Sequence, residues 1–133
     1  FPVDIDYETI AEAIRDISMD GYIPIVSHVE TYSCLDEDED MVEDLIKLGA
    51  YIQVDSGSVM GENGHDIRNF ARKLVKNEMV HFIATDAHDC DDKAPLMKEC
   101  AEYIERKCGF DYMNEVLYIN PMAIIENDDV EII

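Results

Sequence analysis

The chain alternates segments of helical periodicity with short apolar segments typical of β-strands. Only a few residues separate one segment from the next. Short connections between alternating helices and strands favour parallel strands joined by right-handed crossovers. The sequence therefore predicts an α/β fold of parallel βα repeats, either an open sheet or part of a (βα) barrel. The predicted strands are Tyr22–Ser27, Tyr51–Val54, Val80–Thr85 and Val116–Ile119.

The predicted helices carry apolar residues every three or four positions. The acidic run Asp36–Asp40 suits the start of the second helix, although a calcium-binding loop is an alternative. Gly21 and Gly49 fit the left-handed position that often follows a last helical turn. The helical segments are Tyr7–Asp20, a stretch from the acidic run to Leu48, Ile67–Val75 and Pro95–Lys107, with Asn120 and Pro121 opening a further turn.

Length, net charge and cysteine spacing limit the kinds of protein that this chain can be. A length of 133 residues predicts a single domain, 1–133. The net charge of −21 should repel nucleic acid and anionic lipid, and no apolar run approaches the length of a membrane span. The four cysteines show no CxxC spacing, and nothing before Phe1 resembles a secretion signal. We expect a soluble cytoplasmic protein with reduced thiols.

Polar residues follow the first three predicted strands directly: His28, Asp55 with Ser56, and Asp86 with His88. Because parallel strands point the same way, residues just past their carboxyl ends meet at one edge of the sheet. Imidazole nitrogen and carboxylate oxygen together suit Mn²⁺, Zn²⁺ or Fe²⁺. The pattern therefore predicts a metal site at this edge.

Each of these residues also has a purely structural interpretation. A histidine at a strand end is often a cap or a core residue, Asp86 could cap a helix, and Ser56 and Ser58 could be turn residues. We expect His65 and His81 to be structural.

One pair of residues has the spacing of a catalytic motif from another class of enzyme. Cys100 and Arg106 match the C-x5-R pattern of cysteine phosphatases, but the residues between them are helical in pattern. We therefore expect Cys100 and Cys108 to pack on one helix face.

Four ordered segments carry a family resemblance: IPIVSHVETY (23–32), YIQVDSGSVMG (51–61), VHFIATDAHDCDDKAP (80–95) and YINP (118–121). They resemble the C-terminal half of the PHP (polymerase and histidinol phosphatase) superfamily, specifically the CpsB-type manganese-dependent protein-tyrosine phosphatases of capsule and exopolysaccharide clusters. The resemblance implies about half of a distorted (βα)7 barrel that uses metal-activated water instead of a cysteine nucleophile. The implied substrate is a phosphotyrosine protein such as a bacterial tyrosine kinase.

The resemblance also assigns residues. His28 matches the histidine of the H-x-E-R-Y segment, and Asp86 and His88 match the S-D-x-H segment, so these three are the implied metal ligands, with Mn²⁺ as the implied cation and Fe²⁺ or Zn²⁺ as alternatives. Glu30, Asp55 and Ser56 are candidates to support the ligands.

The chain departs from the family pattern at three places. Thr31 stands where the family has a phosphate-gripping arginine, and Lys93 stands for a second arginine, so Lys93 is the implied phosphate contact. The family's D-x-H-x-H segment would lie before the region that matches Phe1. We therefore expect pairing with a missing N-terminal half or self-association. The alternatives are a non-catalytic scaffold or interaction module, and another PHP phosphoesterase such as a histidinol phosphatase.

Overall fold

The sheet is parallel, as the alternation of segments predicts. The computed structural model describes residues 6–32, 38–84, 90–120, 122 and 130–132, with residues 90–97, 118 and 130–132 described by their backbone. All three strand pairings are parallel, and the spatial order is β3-β2-β1-β4. The α/β class is thereby confirmed. The strands are β1 Ile23–Val26, β2 Tyr51–Asp55, β3 Phe82–Ala84 and β4 Val130–Ile132.

Helical segments connect the strands, and their starts follow the polar signals in the sequence. The Asp6 side chain caps the first helix by accepting from the Thr9 backbone N–H at 2.8 Å, and Asp38 caps the second by accepting from Asp40 N–H at 2.9 Å. The helix-start interpretation of the acidic run is confirmed over the described residues 38–40. The helices are α1 Tyr7–Met19, α2 Glu39–Lys47, α3 Ser56–Met60, α4 His65–Lys76, α5 Cys90–Cys108 and α6 Phe110–Asn114, together with a 3-10 turn at Val29–Thr31 and a π-helix at Glu115–Ile119.

The core lies between the sheet and the apolar faces of the helices. Its largest fully buried side chains are Ile10, Ile14, Ile25, Leu45, Ile52, Leu74 and Ile104. Each contributes on the order of 1.5–3 kcal/mol relative to an exposed position. None of the described helices is both long and apolar enough to cross a membrane.

Cys100 and Cys108 both lie in α5, and both are free thiols. Cys100 is fully buried and Cys108 is half-buried, which confirms their predicted packing role. Burial raises the pKa of the Cys100 thiol to about 12. This thiol therefore stays protonated at neutral pH, and the C-x5-R spacing does not build a cysteine nucleophile.

The predicted strand Val116–Ile119 is wrong. These residues continue the helical path of α6 as the π-helix, and the Tyr112 hydroxyl both accepts from Val80 N–H at 3.1 Å and donates to Val80 O at 2.6 Å. A four-residue apolar run has no periodicity that separates a strand from a buried helical turn. Tertiary packing decides here, because Val116 is buried against the core. The fourth strand of the described sheet is β4, which pairs with β1.

His81 is structural, as expected, and lies at the amino end of β3. Its backbone N–H donates to Ile52 O at 2.9 Å, and its Nδ1 accepts from Ile52 N–H at 3.0 Å. The Asn120 side chain donates to the His81 carbonyl at 2.7 Å, so Asn120 closes this end of β3. Asn120 itself is helical, and Pro121, the other residue of the predicted turn, lies outside the described residues. Because Nδ1 accepts a backbone hydrogen bond, the fold requires neutral His81.

We expect His81 to make the protein sensitive to acid. Burial lowers the pKa of His81 from its ordinary value of 6.5, so the unfolded chain takes up a proton that the folded chain resists. Stability should therefore fall as pH drops through 6.5 toward the lower folded pKa. His81→Gln keeps an acceptor but does not titrate. Between about pH 7.5 and about pH 5.5, the free energy of unfolding should therefore fall less in this variant than in wild type, as measured by urea unfolding. His65→Gln, at an exposed histidine, is the control, and equal losses in wild type and His81→Gln would contradict this role.

Candidate metal centre

The end of β1 turns sharply at His28. This residue has φ 56° and ψ 35°, a left-handed conformation that non-glycine residues seldom adopt. The Thr31 backbone N–H and hydroxyl donate to the His28 carbonyl at 3.0 and 2.8 Å, and these two bonds hold the turn. Thr31 thus has a local structural role where the family pattern has arginine.

His28 contacts Asp55, which ends the neighbouring strand. The distance from His28 Nδ1 to Asp55 Oδ2 is 2.8 Å, and the histidine side chain is 44% exposed whereas the aspartate side chain is 4% exposed. A carboxylate at Nδ1 favours the tautomer that carries hydrogen there, which leaves Nε2 with its lone pair. Within the described part of the chain Nε2 makes no hydrogen bond, so it is available to a cation.

Glu30 lies beneath this pair, in the 3-10 turn. Its side chain is buried, and Oε1 accepts from the Ser58 hydroxyl at 3.2 Å and from the Asp55 backbone N–H at 3.4 Å. Oε2 is buried and has no hydrogen-bond partner among the residues that the structure describes. A buried carboxylate oxygen without a donor is costly, and a cation would relieve that cost.

The electrostatics of Glu30 point the same way. Burial, followed by the negative charge of Asp55, raises the pKa of Glu30 from 4.5 to about 7. Two buried carboxylates beside one histidine leave an excess of negative charge at the strand ends. A divalent cation would offset that excess.

The donor set fits a metal ion. One ligand atom from each of His28, Glu30 and Asp55 lies within 4.8 Å of the others. One imidazole nitrogen with carboxylate oxygens suits Mn²⁺, Fe²⁺ or Zn²⁺, whereas Ca²⁺ prefers oxygen alone. Glu30 Oε2, which has no hydrogen-bond partner in the described part of the chain, is the observation that makes the fit specific.

The structure brings together His28, Glu30 and Asp55 from the predicted set. Ser56 follows Asp55 as the first residue of α3, where its hydroxyl is buried without a hydrogen-bond partner among the described residues. Asp86 and His88 lie in 85–89, outside the described residues, and the Lys93 side chain is likewise outside them. Their roles remain predictions.

The candidate residues chosen from the sequence omit two contributors, Ser58 and Asn63. Ser58 belongs to the short helix α3 and not to a turn, and its hydroxyl reaches Glu30. Asn63 Nδ2 donates to Ser58 Oγ at 2.9 Å. Nothing in the sequence marks Asn63, because its relation to Glu30 exists only through the fold.

Known proteins resemble this chain over most of its length. The family model described as capsular polysaccharide synthesis, CpsB/CapC, matches residues 1–126. The tyrosine-protein phosphatase CpsB of Streptococcus pneumoniae is 31% identical over 130 residues, covering 94% of this chain and 54% of that protein. The tyrosine-protein phosphatase YwqE of Bacillus subtilis is 29% identical over 109 residues, covering 82% of this chain and 43% of that protein.

A solved structure also matches. It comes from crystal structures of YwqE from Bacillus subtilis and CpsB from Streptococcus pneumoniae, described as unique metal-dependent tyrosine phosphatases. The TM-score is 0.74 at 28% identity, over 85% of this chain and 46% of that chain. The chain thus spans about half the length of the relatives that it matches.

We expect Glu30 to cost stability in the absence of metal. Glu30→Gln keeps an acceptor for the Ser58 hydroxyl and removes the buried charge that Glu30 carries above its pKa of about 7. In EDTA above that pH it should raise the free energy of unfolding by roughly 1 kcal/mol, or the Tm by about 4 °C. With Mn²⁺ in place of EDTA, wild type should gain more than the variant. Thermal unfolding checks both effects, with Glu12→Gln at an exposed site of α1 as the control. A lower Tm for Glu30→Gln in EDTA would contradict the charge cost.

Proposed function

Because the chain belongs to the CpsB/CapC capsular polysaccharide synthesis family, we propose that it is the C-terminal part of a metal-dependent protein-tyrosine phosphatase. Residues 1–133 then form one domain portion, about half of a distorted (βα)7 PHP barrel. The cluster of half-buried His28 with buried Glu30 and Asp55 at the strand ends carries this proposal. The tyrosine-phosphatase names of the relatives and the metal dependence of the solved structures support it.

We assign metal binding to His28, Asp86 and His88, with Asp55 orienting His28 and Glu30 supplying a further carboxylate. The register supports the contribution of β3, because Asp55 lies opposite Ala84 and the segment 85–89 follows directly. Mn²⁺ is the proposed cation, and Fe²⁺ and Zn²⁺ have the same donor preferences. When bound, the cation supplies Lewis acidity that activates water and offsets charge on the phosphoryl oxygens.

The remaining residues act on the substrate and on the geometry. Asp55 holds the His28 ring in the tautomer that presents Nε2, and Glu30 places negative charge below it. Lys93 is the proposed phosphate contact, a point charge without the two-pronged geometry of arginine. Thr31 holds the His28 turn and supplies no positive charge.

The proposed substrate is a phosphotyrosine protein, such as a bacterial tyrosine kinase, in the regulation of capsule or exopolysaccharide synthesis. We place this activity in the cytoplasm. The rest of the barrel would come from an N-terminal half or from self-association, since a bare edge of a parallel sheet leaves backbone groups unpaired.

We expect Mn²⁺-dependent hydrolysis of an aryl phosphate and of a phosphotyrosine peptide. His28→Ala and His88→Ala should each lower kcat/KM by at least about 100-fold, beyond the 10–100-fold typical of residues that only support a ligand. His65→Ala is the matched control, because His65 is exposed and bonds only Arg68 and Asn69 among the described residues.

Three results would change the proposal. Turnover that persists in EDTA would exclude a metal mechanism. Absent turnover from a folded, Mn²⁺-binding chain would favour the non-catalytic scaffold. Preference for histidinol phosphate over the peptide would favour another PHP phosphoesterase.

We expect an arginine at position 31 to strengthen phosphate binding. Thr31→Arg supplies the guanidinium fork that the family pattern has there, and a charged hydrogen bond of ~1.4 kcal/mol lowers KM by about 10-fold. Thr31→Lys restores the charge without the fork and should give a smaller effect. Steady-state kinetics with the phosphotyrosine peptide measure both, and an unchanged KM in Thr31→Arg would place the phosphate elsewhere.

A further inference from the structure

A chain of hydrogen bonds connects the protein surface to the buried carboxylate of Glu30. Asn63 lies in the loop between α3 and α4 and is exposed, yet its Nδ2 donates inward to Ser58 Oγ at 2.9 Å. Ser58 is fully buried, and its hydroxyl donates to Glu30 Oε1 at 3.2 Å. Gly61, with φ 96°, allows the tight turn that brings Asn63 back over α3.

The direction of each bond follows from the donors available. An ionised Glu30 only accepts hydrogen bonds, so the single hydrogen of the Ser58 hydroxyl must point toward it. Ser58 Oγ is then left with lone pairs, and the Asn63 amide donates to one of them. Without that donor the Ser58 hydroxyl is free to rotate.

The bonds also determine which oxygen of Glu30 faces a cation. Oε1 receives both described donors, Ser58 Oγ and the Asp55 backbone N–H, while Oε2 receives none among the described residues. Holding Oε1 in this way leaves Oε2 as the oxygen without a described donor, in a carboxylate that has a ligand atom within 4.8 Å of ligand atoms of His28 and Asp55. Asn63 and Ser58, which we call the relay, therefore act on the Glu30 carboxylate and would not contact the cation themselves.

We propose that Asn63 is a positioning residue that raises the affinity of the site for a divalent cation by holding Ser58 and, through it, Glu30. This inference rests on the proposed metal-dependent function. Asn63 is exposed at the surface, so its removal should leave the core intact.

The test is a Mn²⁺ titration followed by the electron paramagnetic resonance signal of free Mn²⁺. Asn63→Ala should weaken Mn²⁺ binding about 10-fold, the range seen for residues that support a metal ligand. The control is Asn69→Ala, another exposed asparagine, whose side chain bonds His65 and Arg68 and has no connection to Glu30 among the described contacts; its affinity should be unchanged. Thermal unfolding of each variant verifies that the fold is retained.

A double-mutant cycle identifies the route of the effect. If Asn63 acts through Ser58, then Ser58→Ala should weaken binding and Asn63→Ala should add nothing in the Ser58→Ala background. Should Ser58→Ala fail to fold, the comparison of Asn63→Ala with Asn69→Ala still decides.

The failures are distinguishable. Equal Mn²⁺ affinity of wild type and Asn63→Ala, or an undiminished effect of Asn63→Ala in the Ser58→Ala background, would overturn the relay alone. A folded wild-type chain that binds no Mn²⁺ would overturn the metal site and this inference with it.

Discussion

β1 and β2 run parallel, with Ile25 opposite Tyr51 and Val26 opposite Ile52, and their carboxyl ends therefore emerge side by side. This pairing brings His28 and Asp55 within 2.8 Å although 27 residues separate them in sequence. The other features of the site depend on it. Glu30 is buried because the 3-10 turn after His28 folds against the end of β2, and Ser58 reaches Glu30 because α3 starts directly after β2. An antiparallel arrangement would send these two strand ends to opposite edges.

The site places two acidic side chains in a buried position, which lowers stability, whereas the apolar core around it raises stability. Glu30 and Asp55 are both buried, and their mutual repulsion adds to the cost of removing Glu30 from water. Such a cost persists only where surrounding packing exceeds it, and here fully buried residues such as Val29, Val54 and Val59 lie next to the acidic groups in sequence. Functional centres often lower the stability of the fold in this way. A bound cation would restore the folding free energy that burial of the two carboxylates costs.

Sequence patterns located most helices and strands because the spacing of apolar residues matches the positions that the fold buries. The predicted helix Tyr7–Asp20 contains α1, whose buried residues include Ile10 and Ile14, and the predicted strand Tyr51–Val54 falls within β2. The patterns failed where a short apolar segment has no period of its own. Val116–Ile119 reads equally well as a strand or as a buried helical turn, and the bonds of Tyr112 to Val80 decided for the helical path. Ser56 and Ser58, for which a turn was one interpretation, lie in the short helix α3 and are buried.

By itself the sequence determined the alternation of helices and strands, the placement of His28 and Asp55 at strand ends, and the motifs that identify the family. Those properties are local, since they depend on periodicity and on residue order. Only the tertiary structure decided that Glu30 would be buried, with one oxygen held and the other without a partner among the residues described. It also decided that surface Asn63 would connect to Glu30 through Ser58. The reason is physical: the pKa of a carboxyl group and the direction of a hydroxyl hydrogen depend on neighbours that become neighbours only after the strands have paired.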